Sequence, residues 1–355
     1  MVIMLSRKPQ FLRWMELVCL AVFVLAWTGC ALFQPKPEGA VELQSVPFAF
    51  KPDSPLLPLQ NYAIVTTQPG DTLSSLAAKH LGDSSSGWRI AEINGIAALK
   101  QGQVLVIPLS PLERGGLTAR GHQTVPILTY HKFSDNVSDA VTVTRKSFED
   151  QMRFLKNNGY KVIRLDEFFD FLELKTPIPR KSVVITFDDG WRSTYDIAFP
   201  ILKKYGYPST LFVYTDFINE GGNGMTWAIL KEMMNGGVSI QSHTKSHRYL
   251  DRRQGKESFK KYFDSIKEEL DESAKVIKRH LNTEVRYLAY PYGDTNHLAA
   301  ALAEKLGYRG ALTVERDGNP CFVHRYRVKR SMIYGNFDLE DFEKNLKVFS
   351  YQALK

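Results

Sequence analysis

From Thr124 onward, short apolar runs of strand length alternate with stretches of helical period, and this alternation limits the fold of the 355-residue chain more than any other feature. Strand candidates fall at 125–130, 161–164, 183–187, 209–214, 238–241, 286–290, 310–314 and near 327–332. Helical patterns separate them at about 147–158, 166–174, 194–205, 226–235, 257–281, 295–306 and 338–349. Strands alternating with helices predict an α/β domain with a parallel sheet, and this many repeats predict closure into a barrel.

A barrel of this kind carries its active site at the carboxyl ends of its strands. There the sequence places His131 after VPILTY, Asp188 and Asp189 after VVITF, Ser242 and His243 after VSIQ, and Pro291 and Tyr292 after RYLAY. Four strand ends thus converge on polar or unusual residues. His243 and His247 in SHTKSH stand at i, i+4, a spacing that lets two imidazoles meet one ion, although the same letters occur in solvated turns. A carboxylate from another strand end would complete two imidazoles and one carboxylate, a set that suits hydrolytic zinc or iron(II). Adjacent carboxylates resist ionising together unless a cation is near. Gly190 permits a turn that aims both aspartates into one site, leaving one to bind metal and the other to act as a base. The competing reading is a plain turn that caps the next helix.

The first half of the chain is organised differently. Arg7, Lys8 and Arg13 precede an apolar run from Leu17 to Trp27 that ends in Thr28, Gly29 and Cys30, which predicts an export signal over 1–29 too short to span a bilayer comfortably. Its end resembles a lipobox with Cys30 as the lipidated residue, Trp27 departing from the usual small aliphatic residue. The expected location is therefore a membrane-anchored lipoprotein facing the periplasm or cell surface. Of the three cysteines, Cys19 lies in the signal and Cys321 is left without an internal disulfide partner. The net charge of +8 is modest and does not argue for nucleic acid. Residues 30–59, with Pro35, Pro37, Pro47, Pro52, Pro55 and Pro58, read as a tether. Residues 60–109 read strand, helix, helix, strand, and 110–123 as a linker.

The pieces QPGDTLSSLA, Asn94-Gly95 and GQVLVIP make the 60–109 segment resemble a LysM domain. That resemblance implies a βααβ module binding N-acetylglucosamine-containing glycans through Gly70, Asp71, Thr72, Asn94, Gly95 and Ile96. Over 124–355, TFDDG, HTKSH and YPYG resemble the signatures of the polysaccharide deacetylase (NodB-homology) carbohydrate esterases. This second resemblance implies a deformed (β/α)7-type barrel that hydrolyses acetyl groups on a GlcNAc-containing polysaccharide with a divalent metal, most often Zn2+. Asp188 would be the base, and Asp189, His243 and His247 the metal ligands. Thr244 would hold the intervening loop, and Tyr292, with Pro291 fixing the approach, would offer its backbone N–H to an oxyanion. The metal would polarise the acetamide carbonyl and lower the pKa of a water.

Two departures matter. Leu288 stands where the family has an arginine, and the C-terminal histidine motif is missing, His324 lacking its hydrophobic framing. Together with YHKF at 130–133 they resemble the circularly permuted branch that includes poly-N-acetylglucosamine deacetylases, a resemblance that implies His131 as the candidate general acid, the competing reading being a structural histidine. Arg330, at the end of the last strand, is the candidate to orient Asp188. Trp191 and Tyr292 are the expected sugar contacts. The competing functional readings are a non-catalytic glycan-binding lipoprotein with a degenerate barrel, and an iron oxygenase, which would need a His-x-Asp pair on one strand that is absent.

Overall fold

The computed structural model describes residues 62–109, 114–118 and 121–351. The expected signal, Cys30 and the tether lie outside the described residues, as does part of the 110–123 linker. Among the described residues no helix is long and apolar enough to cross a membrane.

The small module comprises β1 (Tyr62–Thr66), α1 (Leu73–Leu81), α2 (Gly87–Asn94) and β2 (Val104–Pro108). β1 and β2 pair antiparallel with Ile64 opposite Val106. The first helix starts at Thr72, whose hydroxyl accepts from Ser75 N at 2.9 Å while Ser75 Oγ accepts from Thr72 N at 2.9 Å, so two otherwise orphaned amides are satisfied reciprocally. Leu76, Ala77, Ile90, Leu105 and Ile107 form its core.

In the large domain, β3 (Ile127–Tyr130), α3 (Arg145–Asn157), β4 (Lys161–Val162), α4 (Leu165–Leu172), β5 (Ser182–Phe187), α5 (Phe199–Tyr205), β6 (Ser209–Val213) and α6 (Trp227–Asn235) follow in order. They continue into β7 (Val238–Ser242), α7 (Phe259–Leu281), β8 (Tyr287–Ala289), α8 (His297–Lys305), β9 (Gly310–Leu312), β10 (Ser331–Met332) and α9 (Leu339–Glu343). The strands pair in the order β9-β8-β7-β6-β5-β3-β10, all parallel, with short β4 also pairing β5. Thr313 N donates to Val328 O at 2.8 Å and Val328 N to Ala311 O at 3.0 Å, carrying the curl from β9 toward β10. The result is the expected deformed barrel. β5 and β6 are buried along their whole length, which is why neither shows an apolar–polar alternation.

The differences from expectation have local causes. The 194–205 helix opens with one wide turn, Thr194–Ala198, because Pro200 has no N–H to return to residue 196. The helix expected over 338–349 ends at Glu343, since the later backbone is drawn into pairing: Thr124 N donates to Val348 O at 2.9 Å, and Phe349 and Ser350 pair with Gln123 and His122.

Candidate functional site

The site forms where β3, β5, β7 and β8 stop. After Phe187 the chain leaves the strand conformation: Asp189 takes φ 75° and Gly190 φ 104°, so consecutive carboxylates face one cleft instead of opposite faces of the sheet. A left-handed φ at a non-glycine residue costs free energy. Of the seven such residues among those described, Asp189, Thr244, His247 and Tyr292 all belong to this site.

The two aspartates have separate environments. Asp188 is buried and receives two parallel bonds from Arg330, Nη1 to Oδ1 at 2.7 Å and Nη2 to Oδ2 at 2.8 Å. Arg330 is itself buried and tied to Thr313 O and Thr129 Oγ1, at 2.9 and 3.1 Å. Burial works to raise the Asp188 pKa, but the guanidinium, with His243 and His131, outweighs it and holds the carboxyl well below the usual range. The arginine absent at position 288 is thus supplied by Arg330, which lies just before β10 rather than at its end as expected, while Leu288 packs in the core with Tyr290 and Ala311.

Asp189 faces the histidines. Its Oδ1 is buried without a hydrogen-bond partner, 3.6 Å from His243 Nε2 and 3.4 Å from His247 Nε2, and the two Nε2 atoms are 3.2 Å apart. A triangle of that size has a centre about 2 Å from each corner, the bond length of a transition-metal ion to imidazole nitrogen or carboxylate oxygen. His243 Nδ1 contacts Ala289 O at 2.8 Å, which fixes the tautomer and leaves the Nε2 lone pair pointing into the triangle. Burial, followed by the neighbouring His243, pushes the His247 pKa down to about 4, so its ring is neutral at pH 7 and able to ligate. One orphaned acceptor and two lone pairs converging on one point fit a divalent cation, and Asp189, His243 and His247 are the residues that would hold it.

The SHTKSH segment is a loop rather than a helical turn. Thr244 Oγ1 accepts from His247 N at 3.1 Å, the expected role for this residue. The larger anchor is Glu269 on α7, which sequence reasoning missed. Its Oε2 accepts from Lys245 N at 3.0 Å and Ser246 N at 2.8 Å, and its Oε1 from Ser246 Oγ at 2.5 Å. Only its three-to-four-residue spacing with Tyr262, Ile266 and Ser273 on the buried stripe of α7 could have signalled it.

His131 follows β3 with Nε2 4.0 Å from Asp188 Oδ2, at the rim of the same cleft. Tyr292 is half exposed, its ring stacked on Tyr249 at 4.0 Å between centroids and edge-on to His247 at 4.7 Å. Pro291, beside it, is buried. Trp191 is more enclosed: its Nε1–H donates to Asp189 Oδ2 at 2.7 Å, and Lys132 Nζ lies 3.9 Å from its ring centroid.

In the small module, Gly70, Asp71 and Thr72 form the turn before α1. The Asn94 side chain is committed within the fold, Nδ2 donating to Val106 O at 2.7 Å and Oδ1 accepting from Val106 N at 2.9 Å. Gly95, at φ 61°, closes α2 just before Ile96.

Residues 175–311 match the polysaccharide deacetylase family profile and residues 65–108 the LysM domain profile. A Bacillus subtilis protein assigned to the polysaccharide deacetylases is 32% identical over 213 residues, 59% of this chain and 72% of the relative. The poly-beta-1,6-N-acetyl-D-glucosamine N-deacetylase of Staphylococcus aureus is 28% identical over 54% of this chain and 68% of its own length. Among solved structures, the Streptococcus pyogenes deacetylase PplD in complex with acetate superposes with a TM-score of 0.57 at 26% identity, over 64% of this chain and 99% of that one.

Proposed function

The chain belongs to the polysaccharide deacetylase family, and from that premise we propose that it hydrolyses N-acetyl groups on an N-acetylglucosamine-containing polysaccharide, with exopolysaccharide or peptidoglycan as the polymer. The observation that carries this reading is the different surroundings of two neighbouring carboxylates: Asp189 faces a pair of imidazoles, and Asp188 is clamped beside them by Arg330.

Asp189, His243 and His247 would hold a divalent cation, most readily Zn2+, which when bound polarises the acetyl carbonyl and acidifies a water. Asp188 does not join that triangle; its Oδ2 lies 4.0 Å from His243 Nε2 and accepts the proton of the attacking water. Arg330 keeps Asp188 ionised and fixed in orientation throughout. The Tyr292 backbone N–H stabilises the oxyanion, with buried Pro291 setting its position. His131 Nε2 delivers a proton to the departing amine, which cannot leave as an anion.

The proposed arrangement is a glycan-binding module over 60–109 and a catalytic domain over 124–355. Ahead of them, the apolar segment and Cys30 support export and a lipid anchor in the cell envelope. Acetate release from a panel of defined glycans, before and after chelation and zinc restoration, tests the reaction. Binding of the same glycans without acetate release would instead favour a non-catalytic wall-binding protein.

A further inference from the structure

We propose that Trp191 is a positioning residue for the metal centre: its indole N–H holds one oxygen of Asp189 so that the other faces the imidazole pair. The inference rests on the metal reading above and adds the group that sets the carboxylate. An aspartate can turn about its last torsion at little cost, because that torsion has a broad minimum and two equivalent oxygens. Here the ambiguity is removed. Trp191 Nε1 donates to Oδ2 at 2.7 Å, while Oδ1 remains unpartnered, buried, and within 3.6 Å of both Nε2 atoms. An indole N–H is a donor only, so it orients the carboxylate without competing for a cation.

Trp191 is fixed independently of Asp189. Its ring meets Phe217 edge-on at 4.8 Å, and its backbone bridges to Gly224. On either side of it, Arg192 N donates to Asn223 O at 2.7 Å and Met225 N to Gly190 O at 3.0 Å. Lys132 Nζ lies over the ring face, a contact that draws electron density from the indole and strengthens its N–H as a donor to the carboxylate. With its N–H bound and one face under a cation, Trp191 has less to offer a sugar ring than an open aromatic platform has. Trp191→Phe separates the two roles, because it keeps an aromatic ring and deletes the donor.

The experiment is calorimetric titration of the metal-stripped full chain with zinc, alongside thermal melting of the metal-free protein and KM for the polymer at saturating zinc. Trp191→Phe is expected to weaken zinc binding about 10- to 100-fold, the range seen when a group that orients a metal ligand is removed, while the metal-free protein still melts cooperatively. Zinc affinity within about twofold of the parent, or a deficit confined to KM, overturns the proposal. A second measurement needs no substitution: among the indole N–H resonances of the five tryptophans, the one bonded to Asp189 should shift when zinc is added. A spectrum with no shifted indole signal while zinc binds also overturns it. If the parent chain itself takes up no zinc, the metal reading fails, and this inference with it; if the parent binds and Trp191→Phe binds equally well, the inference fails alone.

Discussion

Asp188 and Asp189 are neighbours in sequence and share little else. One accepts two bonds from a buried guanidinium; the other keeps a bare oxygen for a cation. Asp188→Asn should therefore leave zinc affinity unchanged and reduce kcat by about 100-fold or more, as loss of a general base does, and metal loss in that variant would exchange the two roles. Arg330→Met leaves a buried carboxylate without its partner, a change that costs about 3 kcal/mol of stability. It also raises the Asp188 pKa, so the acid limb of the kcat/KM profile should move to higher pH; an unmoved limb would mean that a different group is the base. The pair DDG and the two histidines were legible because their neighbours in sequence are their neighbours in space. Arg330 was legible only as a candidate, because it meets Asp188 across 142 residues. The committed amide of Asn94 was not legible at all, since the same letters serve a groove or a strand clasp.

At the scale of elements, helices act as anchors for loops that carry the chemistry. Apolar periodicity revealed the strand and helix order, but a glutamate in a charged helix such as α7 reads as solvated until the fold shows what it faces. Replacing Glu269 by Ala strips two backbone amides and a hydroxyl of their acceptor, a loss of about 1–3 kcal/mol per unsatisfied group. Zinc affinity should fall with it, because the His243–His247 spacing depends on that loop. A second clasp joins the end of α4 to the strands at the far side of the sheet: Glu173 accepts from Arg309 Nη2 at 2.9 Å and from Arg325 Nη2 at 2.6 Å. The Arg309 contact leads in lowering the Glu173 pKa from 4.5 to about 2. Its folded value is below its unfolded one, so the contribution is complete above pH 4.5 and disappears as pH falls toward about 2. Glu173→Gln should lower the unfolding free energy at pH 7 and flatten its decline between those pH values, measured by urea titration.

The whole molecule combines a fold that does chemistry at one end of a barrel with a small module whose own core closes without it. A barrel active site open enough for a polymer makes few contacts with any one sugar, so it needs another way to stay near its substrate. A glycan-binding module would supply this by raising the local concentration of polymer, with an effect that grows with the number of repeats both parts can engage at once. Deletion of residues 60–109 should therefore raise KM on long poly-N-acetylglucosamine by about tenfold or more, while kcat/KM on a short oligosaccharide stays the same. An equal loss on both substrates would instead make the module a structural support for the barrel. Among the described residues, the hydrogen bond that joins the module to the barrel, from Arg180 N to Glu92 Oε1 at 2.9 Å, is too slight a connection to favour that outcome.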